Sequence, residues 1–116
     1  MPAKPETIVK KARQRIDRIR ETIGGIDYLC SGTLLKRTKV CGKPGCRCAK
    51  EVSARHGPYY EWGHMQDGKL VHRTVSPEQA TLLQQGIDNY RTVQKLLRKW
   101  EAETEQLVNA EAPRKP

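Results

Sequence analysis

The chain has 116 residues, 36% hydrophobic with no Phe, and carries a formal net charge of +9. That length suits one small domain with little material for a core, where a metal or a partner often supplies extra stability. No run of residues is apolar enough to span a bilayer and no N-terminal apolar run resembles a signal peptide, so no membrane partner is expected and a reducing cytoplasm is the expected location.

The charge is uneven. Residues 1–40 carry ten Lys/Arg against four Asp/Glu, residues 41–76 six against three, and residues 77–116 six against six. The excess lies in the first two thirds. Such a surface attracts polyanions, nucleic acid being the commonest, or serves solubility alone.

From about Pro5 to Ile23 the apolar residues Ile8, Ala12, Ile16, Ile19 and Ile23 are spaced 4, 4, 3 and 4 apart, one narrow stripe on a helix. Lys10, Lys11, Arg13, Arg15, Arg18 and Arg20 spread around the rest, and Gly24-Gly25 supplies the stop. Cys30 reads as a small buried hydrophobe. Gly32 to Val40 reads as a strand. A loop from Cys41 to about Pro58 follows, too long to be ordered without organisation of its own.

Tyr59–Met65 and Leu70–Val75 read as a hairpin closed by a type I′ turn at Asp67-Gly68. That turn pairs Gln66 with Lys69 and sets Tyr60 opposite Val75, Trp62 opposite Arg73 and His64 opposite Val71. Trp62 and Arg73 are placed for a cation–π contact. His64 and His72 read as exposed strand histidines; either could replace His56 as a metal ligand, but on opposite faces they do not serve one ion together. Ser76-Pro77-Glu78-Gln79 carries a capping box and opens a second helix running to about Val108. Within it Leu83, Tyr90, Leu97 and Thr104, with Val93, Trp100 and Leu107 between them, form a heptad-like coiled-coil pattern weakened by Thr104 and Gly86. The first helix is shorter, which leaves apolar surface near Trp100 to Val108 for a second copy or a larger partner.

The chemistry concentrates in Cys41-Gly42-Lys43-Pro44-Gly45-Cys46-Arg47-Cys48, with His56-Gly57-Pro58 behind it. Zn²⁺ takes four thiolate or imidazole ligands in a closed tetrahedron. Cys41, Cys46 and Cys48 are the expected ligands and His56 the best fourth, in the spacing C-x₄-C-x-C-x₇-H. Lys43 and Arg47 favour thiolates. Buried thiols, a redox pair and an iron–sulfur site are the alternatives. A catalytic zinc keeps an open position beside an acid or base, and Glu51 and Glu61 are the only acids near the loop. No Ser-His-Asp set, HExxH or phosphate-binding loop occurs, so the chain is not expected to be an enzyme.

The run Gly32-Thr33-Leu34, the cysteine motif through Ala49, His56-Gly57-Pro58-Tyr59-Tyr60, Asp67-Gly68-Lys69 and Ser76-Pro77-Glu78-Gln79 resemble an uncharacterised family of short bacterial and archaeal proteins. Its members are often found near transposases and other mobile elements. The resemblance covers about residues 32–108. The segment Glu51-Val52-Ser53-Ala54-Arg55 departs from it in lacking a glycine, and Cys30 lies outside its pattern. The resemblance implies no activity; by association it favours a role connected with nucleic acid.

The expected fold is α+β. It comprises a basic amphipathic helix and linker over 1–31, a small antiparallel sheet with a zinc-stabilised Cys/His loop over 32–76, and a long helix with a disordered tail over 77–116. The two helices form a hairpin or a coiled coil. The expected function is a non-catalytic nucleic-acid-binding accessory module. Contacts would come from Arg37, Lys39, Lys43, Arg47, Lys50 and Arg55, with Tyr59 or Trp62 as a stacking surface. The alternative is an adaptor that pairs through its helices with a second copy or with a protein such as a transposase.

Overall fold

The computed structural model describes residues 4–113, apart from the side chains of Lys39 and Cys48. The expected disordered tail therefore lies largely outside the described residues. The elements are helix α1 (Pro5–Gly24), strands β1 (Thr33–Lys39), β2 (His56–Gln66) and β3 (Lys69–Val75), and helix α2 (Pro77–Glu111). The sheet is antiparallel in the order β1-β2-β3, so the α+β expectation holds. No helix is long and apolar enough to cross a membrane among the described residues. The chain forms two compact units, one of residues up to Asp27 with those from Tyr90 onward, the other of Tyr28–Asn89.

In the first unit α1 lies alongside the distal part of α2. Arg13 pairs with Glu111 at 2.9 Å and Arg15 with Glu103 at 3.3 Å, so the helices run in opposite directions. The stripe read from α1 is the packed one: Ala12 and Ile19 are buried, and Ile8, Ile16 and Ile23 half-buried. On α2 the half-buried residues are Val93, Leu96, Trp100, Glu103, Leu107 and Ala110. This corrects the heptad reading. Val93, Trp100 and Leu107 belong to the packed stripe, but Leu96, Glu103 and Ala110 replace Leu97 and Thr104 as its other limb. Glu103 can sit there because Arg15 neutralises it, a pairing that helical periodicity alone does not reveal. Near the end of α2, Pro5 and Ile8 share a surface groove with Gln106, Asn109, Ala110 and Pro113. Apolar surface remains exposed at Val108, within the stretch expected to carry it, and further back at Tyr90 and Leu97, all off the packed stripe.

In the second unit the hairpin register is the one read from Asp67-Gly68: Gln66 with Lys69, His64 with Val71, Trp62 with Arg73, Tyr60 with Val75. Asp67 and Gly68 have φ of 52° and 79°, as a type I′ turn requires. β1 pairs with β2 through Thr33–Gly63, Leu34–Trp62, Leu35–Glu61, Lys36–Tyr60 and Arg37–Tyr59. Alternation then puts Leu34, Tyr60, Trp62, His64, Val71, Arg73 and Val75 on one face. Leu35, Arg37, Tyr59, Glu61, His72 and Leu70 share the other. The first face is the packed one: Val75 is buried, and Tyr60, Trp62, His64 and Val71 are half-buried.

Trp62 organises that face. Its indole N–H donates to the Ser31 carbonyl at 3.0 Å. Its ring stacks on His64 at 3.7 Å between centroids and 10° between planes, and the Arg73 guanidinium carbon lies 5.3 Å from the ring centroid. His64 is therefore not an exposed strand histidine: it is half-buried, and its Nδ1 is enclosed without a hydrogen-bond partner. His72, on the outer face, is exposed and lies 3.1 Å from Glu61.

The capping box at the start of α2 forms as expected. Ser76 N–H donates to Gln79 Oε1 at 3.0 Å, and Gln79 N–H donates to Ser76 Oγ at 3.1 Å. Ala80 and Ile87 are buried, and so is Gly86. Residues 28–30 cross this part of the helix: the Cys30 N–H donates to the Gly86 carbonyl at 3.2 Å, and Asn89 Nδ2 to the Tyr28 carbonyl at 2.8 Å. Gly86 is thus a contact point and not a flaw in the helix.

Candidate metal centre

The loop between β1 and β2 is shorter than expected. β2 begins at His56, which pairs with Lys39 at the end of β1, so the unpaired segment is residues 40–55 and not Cys41 to Pro58. The register slips by a bulge between Arg37 and Lys39. Gly57 makes the approach possible. Its φ is 122°, and a Cβ there would lie 2.9 Å from the Arg37 carbonyl oxygen. Strand pairing therefore brings His56 to the mouth of the loop, next to Cys41, which is two residues past Lys39.

Within the loop, Lys43-Pro44-Gly45-Cys46 is a tight turn. Cys46 N–H donates to the Lys43 carbonyl at 3.3 Å, with Gly45 at a φ of 80°. Pro at the second position and a positive-φ glycine at the third are the type II pattern. The turn folds Cys46 back towards the strand ends. A 3₁₀ turn over Arg47–Ala49 follows, then another over Val52–Ala54. Arg47 pairs with Glu51 at 2.9 Å across the first, which adds a local brace.

The outcome is a cluster. The Cys41 Sγ, the Cys46 Sγ and a ring nitrogen of His56 all lie within 4.8 Å of one another, and Cys46 Sγ is 3.3 Å from His56 Nε2. Zn–S bonds of about 2.3 Å and Zn–N bonds of about 2.0 Å in a tetrahedron put neighbouring donor atoms about 3.5–3.8 Å apart. The three groups fit a metal ion with small adjustments. Sulfur and imidazole are the donors that suit zinc and disfavour magnesium or calcium. Cys41, Cys46 and His56 are thus brought together as expected. Cys48 lies in the 3₁₀ turn one residue past Arg47, and its side chain is outside the described residues. Cys30 is elsewhere: its Sγ donates to the Leu83 carbonyl at 3.4 Å, and burial pushes its thiol pKa up. It is packed and not a ligand, as read from the sequence.

Four of the expected cationic residues lie in the same loop. Lys43, Arg47, Lys50 and Arg55 are all exposed, with Glu51 the only acid in the loop. Arg37 is exposed and pairs in register with Tyr59 on the outer sheet face, while Lys39 pairs with His56. Tyr59 and Trp62 face opposite sides of the sheet, so they cannot form one stacking platform. Gly57, read from the sequence as part of a turn ending the loop, lies instead within β2, and its close approach to Arg37 is a cross-strand contact that no local motif announces.

The profile of a domain family of unknown function, DUF6788, matches residues 8–85, and the chain belongs to that family. The match takes in most of α1, the whole sheet and the start of α2, so it begins earlier and ends earlier than the resemblance seen in the cysteine and HGPYY motifs. No curated protein matches the chain, and no solved structure does.

Proposed function

We propose that this DUF6788-family chain is a non-catalytic module that binds nucleic acid through a basic loop folded around Zn²⁺. The observation that carries the proposal is the Cys41–Cys46–His56 cluster at the base of a loop bearing Lys43, Arg47, Lys50 and Arg55. In this reading Cys48 closes the tetrahedron as the fourth ligand, and the ion is structural. It supplies folding energy to a segment with few apolar contacts of its own. Exposed cations held on a rigid loop are suited to phosphate contacts, which position a nucleic acid without reading its sequence. Arg37, exposed on β1, would add a further contact, and Lys39 is the other cation expected on that strand. Tyr59, across from Arg37 on the outer face, is the stacking ring; Trp62 is left to hold the inner face together. A place beside mobile elements rests on the motif resemblance alone.

The test is a titration of fluorescent single-stranded and duplex oligonucleotides against zinc-loaded protein over a range of salt. Four phosphate contacts give a slope of log K against log salt of about −3 on single strands and about −3.6 on duplex DNA. Lys43→Glu with Arg55→Glu should flatten the slope and weaken binding to every sequence alike. Absence of binding at low salt, or a salt-independent affinity, would falsify the proposal.

A further inference from the structure

We infer that the groove between α1 and the distal part of α2 binds a small phosphate monoester with an apolar body. This inference goes beyond the nucleic-acid reading and stands on different residues. The groove has a volume of about 300 Å3, at the small end of ligand-sized sites, and lies wholly within the helical unit. Its floor is apolar, with Ile19 buried and Leu96 half-buried. Its lining is otherwise rich in cations: Arg15 and Arg18 come from α1 and Lys99 from α2.

The charges identify the ligand. Among the described residues Glu103 is the only acid lining the groove, and Arg15 takes it at 3.3 Å. Arg18 and Lys99 are exposed and form no ion pair among the described residues. Lys11 lies one turn before Arg15 and Lys95 one turn before Lys99, so helical spacing puts further cations on this side of both helices. Two uncompensated cations at one groove match a group with about two negative charges, as a phosphate monoester has near neutral pH. The planar guanidinium of Arg18 takes phosphate oxygens in pairs, and Lys99 adds a point charge. A carboxylate or a phosphodiester, with a single charge, leaves one cation over. Inorganic phosphate and a bare nucleic-acid backbone bring nothing to cover the apolar floor. A ligand with its body on Ile19 and Leu96 and its phosphate at Arg18 and Lys99 meets both features at once.

The test is isothermal titration calorimetry of naphthyl phosphate into the full chain. A dissociation constant of about 0.1–1 mM is expected for a ligand of this size in an open groove. Inorganic phosphate and uncharged naphthol should each bind about tenfold more weakly or worse, since each meets only half of the site. Arg18→Gln and Lys99→Gln should each weaken naphthyl phosphate about tenfold. Arg98→Gln removes a cation of α2 that does not line the groove and should leave binding unchanged. Lys43→Glu with Arg55→Glu, in the metal loop, should leave it unchanged too. Circular dichroism checks that the helices stay formed. Should a groove variant lose helix, the order of the three ligands on the natural chain and the loop variant decide. No binding up to about 10 mM overturns the inference. So does inorganic phosphate binding as tightly as naphthyl phosphate, an equal loss in Arg98→Gln and Lys99→Gln, or a loss in the loop variant. None of these outcomes touches the nucleic-acid reading, which the oligonucleotide titration decides separately.

Discussion

Gly86→Ala is a sharp test of the packing in the sheet-containing unit. By helix propensity alone the change should stabilise α2 by about 1 kcal/mol, since alanine is the better helix former. The structure opposes this. A Cβ at position 86 would lie 2.6 Å from Cys30 Sγ and 3.1 Å from the Cys30 backbone nitrogen. The nitrogen cannot retreat easily, because its N–H is bonded to the Gly86 carbonyl at 3.2 Å. Overpacking of this kind costs about 1–3 kcal/mol and opposes the propensity gain. The expected net result is a loss of about 1 kcal/mol, or a fall in Tm of about 4 °C for a chain of this length. Thermal unfolding followed by circular dichroism measures it. Repeating the change in a Cys30→Ala background removes the nearest obstructing atom. There the propensity term should win, and Gly86→Ala should be neutral or stabilising by up to about 1 kcal/mol. A rise in Tm in the natural background, or an equal cost in both backgrounds, refutes the reasoning.

Native mass spectrometry of the purified chain should show a single bound zinc, lost in Cys46→Ser and kept in Cys30→Ala. Acidification should release it, since thiolates and imidazole bind metal only when deprotonated. A second prediction concerns Cys30, whose thiol is raised by burial above the ordinary value of 9.0. The unfolded chain then ionises first, so this contribution to stability is complete below pH 9 and is lost as pH rises through the folded value. The difference in Tm between the natural chain and Cys30→Ala should therefore shrink above that pH. Third, Trp62→Phe keeps a ring against His64 but removes the donor to Ser31, and should cost about 1 kcal/mol in urea unfolding. An unchanged midpoint would mean that the bond adds nothing.

Local patterns carried most of the fold. The α1 stripe, the Asp67-Gly68 turn and the Ser76/Gln79 box are each decided within a few residues by periodicity or turn chemistry, and the structure repeats them. The hairpin register follows from the turn alone. What was hidden depends on residues far apart in the chain. Glu103 joins the packed stripe of α2 only because Arg15 is there to neutralise it. Gly86 looks like a weak spot until residues 28–30 are seen to cross it. His64 is enclosed because Trp62 stacks on it, and neither residue announces the pairing. For the candidate site, Cys41, Cys46 and His56 were readable from residue type and spacing. The close approach of Gly57 to Arg37 that delivers His56 was not.

The open sheet has a consequence for solubility. Among the described residues β1 and β3 are both edge strands, each with a row of backbone donors and acceptors that no neighbouring strand satisfies. Lys36 and Arg37 stand on one edge, Lys69 and Arg73 on the other. Mutual repulsion of these cations keeps two sheets from joining side by side. A bound polyanion would cancel that repulsion, so the same event that occupies the basic surface would disarm the guard against strand addition. Mixtures near charge equivalence should therefore turn cloudy and clear again with excess polyanion or with salt.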